Sequence, residues 1–345
     1  MIAESNPDNS ANSDKIKNIT HRVPESTEPE RLDRYLAGLN EVDLSRTQIQ
    51  KLIANENILV NGAAVSSRLK VSGGEEISIS IPPPEPHDAL AEKIPLDIRY
   101  EDDDVLVVNK PVGMVIHPAV GNRTGTLLNA LLGLAAERAV ECNLERAGII
   151  HRLDKNTSGL LIVARNEKAA RYLQAQLKER KIKRAYLALV CGHLKNDQGE
   201  INAPIGRSIK DRKKMAVTNV ASREALTQYQ ALERYESHTL LRISLITGRT
   251  HQIRVHLAHL GHPVFGDPDY GGREKWHKGI FAPQRRLSQE LLKDFNRQAL
   301  HAYKIAFEHP VTGKQVEIIA EPPEDFARLL RKLGSEFIEK GLNLD

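Results

Sequence analysis

Gly148-Ile149-Ile150-His151-Arg152-Leu153-Asp154-Lys155-Asn156-Thr157-Ser158-Gly159-Leu160-Leu161-Ile162-Val163-Ala164 is the most informative run in the chain. Two apolar segments flank a charged tip rich in turn formers, which predicts a strand pair presenting a short connection. A loop held on such a scaffold is where a carboxylate of fixed direction is usefully placed. Asp154 is expected to be held there between Arg152 and Lys155. A neighbouring cation favours the charged form of a carboxylate, as a nucleophile requires, yet the same residues make an ordinary capped turn. From this run alone both possibilities stay open.

Downstream, the pattern predicts a helix over Glu167–Leu177 and then a strand, Ala185–Val190. In that strand Ala185, Leu187 and Leu189 share one face and Tyr186 takes the other. An aromatic ring suits a pyrimidine that has left its own stack, and a partly buried strand tyrosine has the same signature. Further on, Leu240–Ile246 reads as a strand that ends at Thr247-Gly248. A helix follows in which Ile253, Leu257 and Leu260 repeat inward and Arg254 lies on another face, within reach of a carboxylate. Upstream, Val105–Asn109 reads as a strand and Leu127–Leu134 as a helix. The elements follow no strict βαβ rhythm and include no GxxxxGK[ST] phosphate loop, so the fold expected is α+β rather than a nucleotide-cofactor fold.

The first part of the chain has a different texture. Residues 1–18 are polar and read as a disordered tail. Leu32, Tyr35, Leu36 and Leu39 repeat at helical spacing, and Ser45 with Gln48 reads as a capping box for a second helix carrying Ile49, Leu52 and Ile53 inward. Ile58-Leu59-Val60 runs into Asn61-Gly62, a strong hairpin signal, and Ile77, Ile79 and Ile81 alternate as a strand. Arg31, Arg34, Arg46, Lys51, Arg68 and Lys70 lie on the polar side, where they either track phosphates or are merely solvated. The proline-rich segment after Ile81 reads as a semi-rigid linker. The expected organisation is a tail over 1–18, a small domain over 19–81, a linker over 82–95, a large domain over 96–335 and a tail over 336–345.

The 345 residues carry 49 basic and 45 acidic side chains, a net charge of +4, so any nucleic-acid role must rest on how the charge is distributed. Two clusters stand out: Lys178, Arg180, Lys181, Lys183 and Arg184 before Tyr186, and Arg207, Lys210, Arg212, Lys213 and Lys214 in an expected loop. No apolar run is long enough to span a membrane and the N-terminus is unlike a signal peptide, so a cytoplasmic protein is expected. Cys142 and Cys191 are in neither metal-binding nor redox spacing, as suits reduced thiols. His251, His256, His259 and His262 crowd one segment without an HExxH pattern, and no metal site is expected.

His151-Arg152-Leu153-Asp154 followed by Thr157-Ser158-Gly159-Leu160-Leu161 resembles the signature of the pseudouridine synthase family, whose members modify ribosomal and transfer RNA. Lys183–Val190, the Gly248–Arg254 run, Asn109-Lys110-Pro111, His117-Pro118 and Gly261–Asp267 add to the resemblance. The segment with Arg31-Leu32-Asp33, Ser45-Arg46 and Val60-Asn61-Gly62 is similar to the S4-like RNA-binding domain. The resemblance implies an α+β protein: a small S4-like domain, then a large synthase domain with a mixed, mainly antiparallel sheet and flanking helices. It implies isomerisation of uridines in a folded RNA by a monomer without metal or cofactor.

In this resemblance Asp154 is the catalytic carboxylate, Tyr186 stacks on the displaced base, and Arg254 meets Asp154 in preference to Arg249, which meets phosphate or caps the turn. Arg152 takes the place of the displaced base. His151, His251, Lys183, Arg184, Arg46 and Lys51 are expected RNA contacts. Within the family the chain is most similar to members acting on large-subunit ribosomal RNA, at the helix 69 stem-loop of 23S rRNA, with free RNA or a pre-50S particle as partner. Sister enzymes choose other rRNA or tRNA uridines. Rivals from other classes are a non-catalytic RNA-binding assembly factor, which predicts a broken motif around Asp154, and a hydrolase of the N-glycosidic bond, which needs a second carboxylate. Residues 272–297, with Trp276, are expected to form a variable loop plus helix.

Overall fold

A computed structural model describes residues 17–39, 42, 44, 46–82, 90–119, 121–138, 148–273, 276 and 281–337. Ser45, Cys142, most of the two expected tails and most of the proline-rich segment lie outside these residues. The chain divides into two units, Met1–His87 and Asp88–Asp345.

In the first unit, strands β1 (Lys17–Arg22), β3 (Ile58–Val60), β4 (Ala63–Ala64) and β6 (Glu76–Ile81) form a sheet in the order β1-β6-β3-β4. Asn61 and Gly62 close the β3–β4 hairpin with φ of 51° and 77°, the left-handed pair that a tight two-residue turn requires. A second pair, β2 (Glu30–Arg31) with β5 (Lys70–Val71), and helices α1 (Leu32–Ala37) and α2 (Arg46–Ala54) complete the unit. Leu32, Leu36, Ile49, Ile58, Ile77 and Ile79 make its core. Asp33 is wholly buried and takes hydrogen bonds from Arg31, Gln50 and Arg46. The Arg31 bond in particular holds its carboxyl well below the usual range. Arg31 and Arg46, expected on the phosphate-facing side, are thus engaged in satisfying a buried carboxylate. Lys51 is exposed on α2.

In the second unit the sheet strands are β7 (Asp97–Glu101), β8 (Val105–Lys110), β9 (Gly148–Ile149), β10 (Ser158–Ala164), β11 (Lys183–Cys191), β12 (Gln198–Asn202), β15 (Leu226–Arg234), β16 (His238–Leu245), β17 (Leu300–Glu308) and β18 (Gln315–Ile319). They form one sheet in the order β12-β15-β16-β11-β17-β10-β8-β7, with β9 on β10 and β18 on β17. Among the described residues, only β10 and β17 run parallel. A short hairpin, β13 (Ile205–Arg207) and β14 (Met215–Val217), stands apart from the sheet, and Lys210, Arg212, Lys213 and Lys214 lie in its connection. The helices are α3 (Leu127–Glu137), α4 (Glu167–Lys178), α5 (Gln252–His259), α6 (Ala282–Asp294) and α7 (Glu324–Lys332).

Strand β10 is buried along its whole length because both faces of the sheet are covered. Leu161 and Val163 join one core cluster with Leu106 and Val108, while Leu160, Ile162 and Ala164 join the other with Val105 and Val107. The near-continuous apolar run is what a strand covered on both faces requires. Gly159 has φ of +119°, and a Cβ there would lie 2.3 Å from the Ala302 carbonyl oxygen of β17. Gly159→Ala is therefore expected to destabilise the protein by about 2 kcal/mol or more, read as a lower thermal midpoint. An unchanged midpoint would show that β10 and β17 separate freely there.

One boundary differs from expectation, and the helix expected within residues 272–297 is present. Residues 90–96, read largely as linker, lie on α3: the Leu90 carbonyl accepts from Asn129 Nδ2, Glu92 N–H donates to the Asn129 carbonyl, and Ile94 and Leu96 pack on the core. Gly133 makes this approach possible, since a Cβ would meet the Glu92 carbonyl at 2.0 Å. Within residues 272–297 the helix is α6, and Trp276 packs against the core beside His238.

Candidate active site

Asp154 sits in the connection between β9 and β10, and its side chain is 16% exposed. The connection is pinned from several sides. Thr157 N–H donates to the Asp154 carbonyl. Lys110 Nζ, at the end of β8, donates to the carbonyls of Pro111, Met114 and Lys155 at 2.8, 3.0 and 3.2 Å. Arg297 Nη1 reaches the Asn156 carbonyl and Gln298 Nε2 the Thr157 hydroxyl. Burial pushes the Lys110 amine down to about 7, against the pull of Asp154. Three carbonyl acceptors nevertheless suit the three donors of an ammonium.

The cation that meets Asp154 comes from far along the chain. Arg254 Nη1 donates to Asp154 Oδ2 at 3.2 Å. The rest of its fork is taken by Asp267, through Nε at 2.6 Å and Nη2 at 2.9 Å, and by Asp269 at 2.6 Å. Burial alone would disfavour the charge of Arg254, and the Asp267 carboxylate more than offsets it, so its pKa is raised. The Tyr270 ring lies 4.9 Å from the guanidinium carbon. Neither chain neighbour of Asp154 takes the expected position: Arg152 is exposed, and Lys155 donates to the Asn122 side chain. The cation comes instead from α5, which carries Arg254.

His251 holds a left-handed conformation, φ 56°, at the start of α5. Its Nε2 lies 3.9 Å from Asp154 Oδ1, and its Nδ1 shares a 2.8 Å hydrogen bond with the Tyr270 hydroxyl, which also accepts from Met215 N–H. A non-glycine residue in that region carries strain that recurs at functional sites. Burial lowers its pKa. Gln252, the next residue, accepts from Arg249 N–H and so closes the turn, while Arg249 Nε donates to the Glu224 carbonyl.

Tyr186 lies on β11, 3% exposed, in the core cluster that includes Leu153. Burial raises the pKa of its phenol, and the charges of Arg184 and Asp154 both act on it. Arg184 is half-buried and Lys183 exposed at the start of the same strand. His151, expected to contact RNA, is 9% exposed, and Ile162 N–H donates to its Nε2. It fills a gap on the edge of β10, which pairs with β17 at Ser158 and Gly159 and with β9 at Val163 and Ala164.

Burial pushes His151 down to about 3 and His301 to about 4. An unfolded histidine titrates near 6.5, so between these values the unfolded chain binds protons that the folded chain refuses, and stability falls as pH drops. Each ring is expected to cost about 2 kcal/mol at pH 5. The urea midpoint should be lower at pH 5 than at pH 7, and His301→Gln should remove part of the difference. Equal midpoints for the unaltered protein would sink the idea.

Away from this site, Asp102, Asp104 and His309 come together. His309 Nδ1 accepts from the Val311 and Thr312 N–H groups and Nε2 donates to Asp102 Oδ2, so both ring nitrogens are already used.

Residues 104–259 match the family model described as RNA pseudouridylate synthase. A Bacillus subtilis protein named "Uncharacterized RNA pseudouridine synthase YlyB" is 45% identical over 92% of this chain and 99% of its own length. The chain belongs to the RNA pseudouridine synthase family. The Escherichia coli K12 "Ribosomal large subunit pseudouridine synthase D" is 41% identical over 93% of this synthase and 96% of its own length. The solved structure of human "RNA Pseudouridylate Synthase Domain Containing 1" aligns with a TM-score of 0.50 and 28% identity, covering 68% of this chain and 86% of that one. This synthase is therefore an isomerase acting on RNA. No described helix is long and apolar enough to cross a membrane.

Asp267, Asp269, Tyr270 and Lys110 were not assigned roles in the sequence, although Lys110 in Asn109-Lys110-Pro111, Asp267 in Gly261–Asp267 and Tyr270 in Tyr270-Gly271-Gly272 fall within motifs of the resemblance. The available signal was Asp267 ending an apolar run and followed by Asp269: acidic side chains in such a setting need a buried cation.

Proposed function

We propose that this synthase converts uridines of large-subunit ribosomal RNA to pseudouridine, with Asp154 as the catalytic carboxylate. The observation that carries the reading is the Arg254 fork: three of its five N–H donors are fixed on Asp267 and Asp269, and one from Nη1 holds Asp154. An anchored guanidinium orients the carboxylate and favours its charged form. The target nucleotide leaves its stack, its base lies on the Tyr186 ring, and exposed Arg152 fills the place it left. The bond from ribose C1′ to N1 breaks, the base turns, and C1′ joins C5; C5 loses a proton and N1 gains one. The atoms balance without cofactor or metal.

The E. coli relative, named for the large ribosomal subunit and matched along nearly its whole length, supports the RNA class. The helix 69 stem-loop, free or in a pre-50S particle, is the proposed target, and a cytoplasmic monomer whose residues 19–81 act as an S4-like RNA-binding domain is the proposed form. The basic connection between β13 and β14 supplies further phosphate contacts, with Lys214 and Met215 tied to the Asp269–Tyr270 segment.

Carbodiimide primer extension on ribosomal RNA from cells lacking the protein tests this. Specific pseudouridines should vanish and return only with the unaltered gene, not with Asp154→Ala. Equal restoration by both would remove Asp154 from the chemistry, and free uracil in a purified reaction would point to a glycosidic hydrolase.

A further inference from the structure

Among the described residues, two buried side-chain polar atoms have no hydrogen-bond partner, His151 Nδ1 and Arg184 Nε. Native structures keep very few such atoms because each is costly to bury. Both are donors. Ile162 N–H donates to His151 Nε2, and burial keeps the ring neutral, so its single proton is on Nδ1. An arginine Nε always carries its proton.

The two donors lie on the segments that carry the site already described, the β9–β10 connection and β11. His151 precedes Asp154 by three residues. Arg184 precedes Tyr186 by two on β11, the spacing that puts two side chains on one face of a strand. The charge of Arg184 acts on both the His151 ring and the Tyr186 phenol. Its guanidinium lies against Gly248, where a Cβ would be 2.9 Å from Nη1. That glycine leaves the room the side chain occupies.

We propose that His151 Nδ1–H and the Arg184 guanidinium receive a carbonyl oxygen of the displaced pyrimidine and hold the base by it while it turns. The inference rests on the placing of Asp154 and Tyr186 given above. Neighbouring donors fit an acceptor, and uracil carries one at C2 and another at C4. When the ring turns about its N3–C6 axis, N1 exchanges with C5 and the C2 carbonyl exchanges with the C4 carbonyl. A carbonyl oxygen therefore occupies the same place before and after isomerisation, and fixed donors serve both ends of the reaction. Cytosine, with an amino group at C4, sets donor against donor at one of the two ends.

The test uses full-length enzyme and a stem-loop RNA with uridine, 2-thiouridine or 4-thiouridine at the target, because sulfur is a weak acceptor. Single-turnover rates are measured for unaltered enzyme, for Arg184→Gln and for His151→Phe, the last with its thermal midpoint. At least one thio substitution should slow the unaltered enzyme about tenfold or more. The same substitution should slow Arg184→Gln by less than about twofold, since the bond is already lost. A thio penalty equal in both enzymes, or absent from the unaltered one, overturns the proposal. So does an Arg184→Gln effect confined to the RNA concentration needed, which would assign the guanidinium to a phosphate. Failure of the unaltered enzyme to form pseudouridine in ordinary RNA would instead strike the functional reading beneath it.

Discussion

Asp154→Asn is expected to lower the rate of pseudouridine formation by at least about 10³-fold, the scale on which loss of an essential nucleophile is felt. Protein stability should change by about 1 kcal/mol or less, because the side chain is at the site's surface and Arg254 keeps Asp267 and Asp269 as partners. RNA affinity should stay within about threefold, since phosphate contacts dominate binding. The measurement is release of tritium from uracil C5 in a labelled stem-loop, beside a binding titration and a thermal melt. Residual activity above a tenth of the unaltered rate would mean that the carboxylate orients the base rather than attacks.

Arg254→Met has the larger structural consequence. It removes a cation that is 4% exposed and leaves Asp267, which is fully buried, with only the N–H groups of Asp269 and Tyr270. Breaking a buried ion pair from one side costs about 3–5 kcal/mol, because the remaining charge is uncompensated. A loss of that order in the urea unfolding free energy is expected, together with loss of activity. Arg254→Lys should recover part of the stability and little of the rate, since a single ammonium cannot serve three carboxylates in one plane. If Arg254→Met unfolds like the unaltered protein, the network is not what holds α5 to the Asp154 connection.

The strands and helices of the large unit were legible because their periodicity is strong: β8, β10, β11 and β16 lie within two residues of the runs that predicted them. The approach of Arg254 to Asp154 was legible in a weaker sense, as a side chain on the face away from Leu257. Asp267 and Asp269 were not, since a carboxylate's partner 13 or 15 residues away is chosen by the turn between them, which no local pattern encodes. The burial of His151 was hidden for a related reason: the break in pairing along β10 draws the ring inward to meet Ile162 N–H, which the local run does not encode. The engagement of Arg46 with Asp33 was hidden in the same way: charge was visible and its partner was not.

The pinned Asp154 connection has a consequence for how targets are chosen. With Lys155, Asn156 and Thr157 held by Lys110, Arg297 and Gln298, the Asp154 carboxylate has little freedom to follow a badly placed nucleotide. Under the proposed function the accommodation falls on the RNA, which brings the uridine out of its helix at a cost of a few kcal/mol. Uridines in frayed or mismatched positions begin with part of that cost already met, so the mechanics of the substrate, as much as its sequence, should rank the sites by speed.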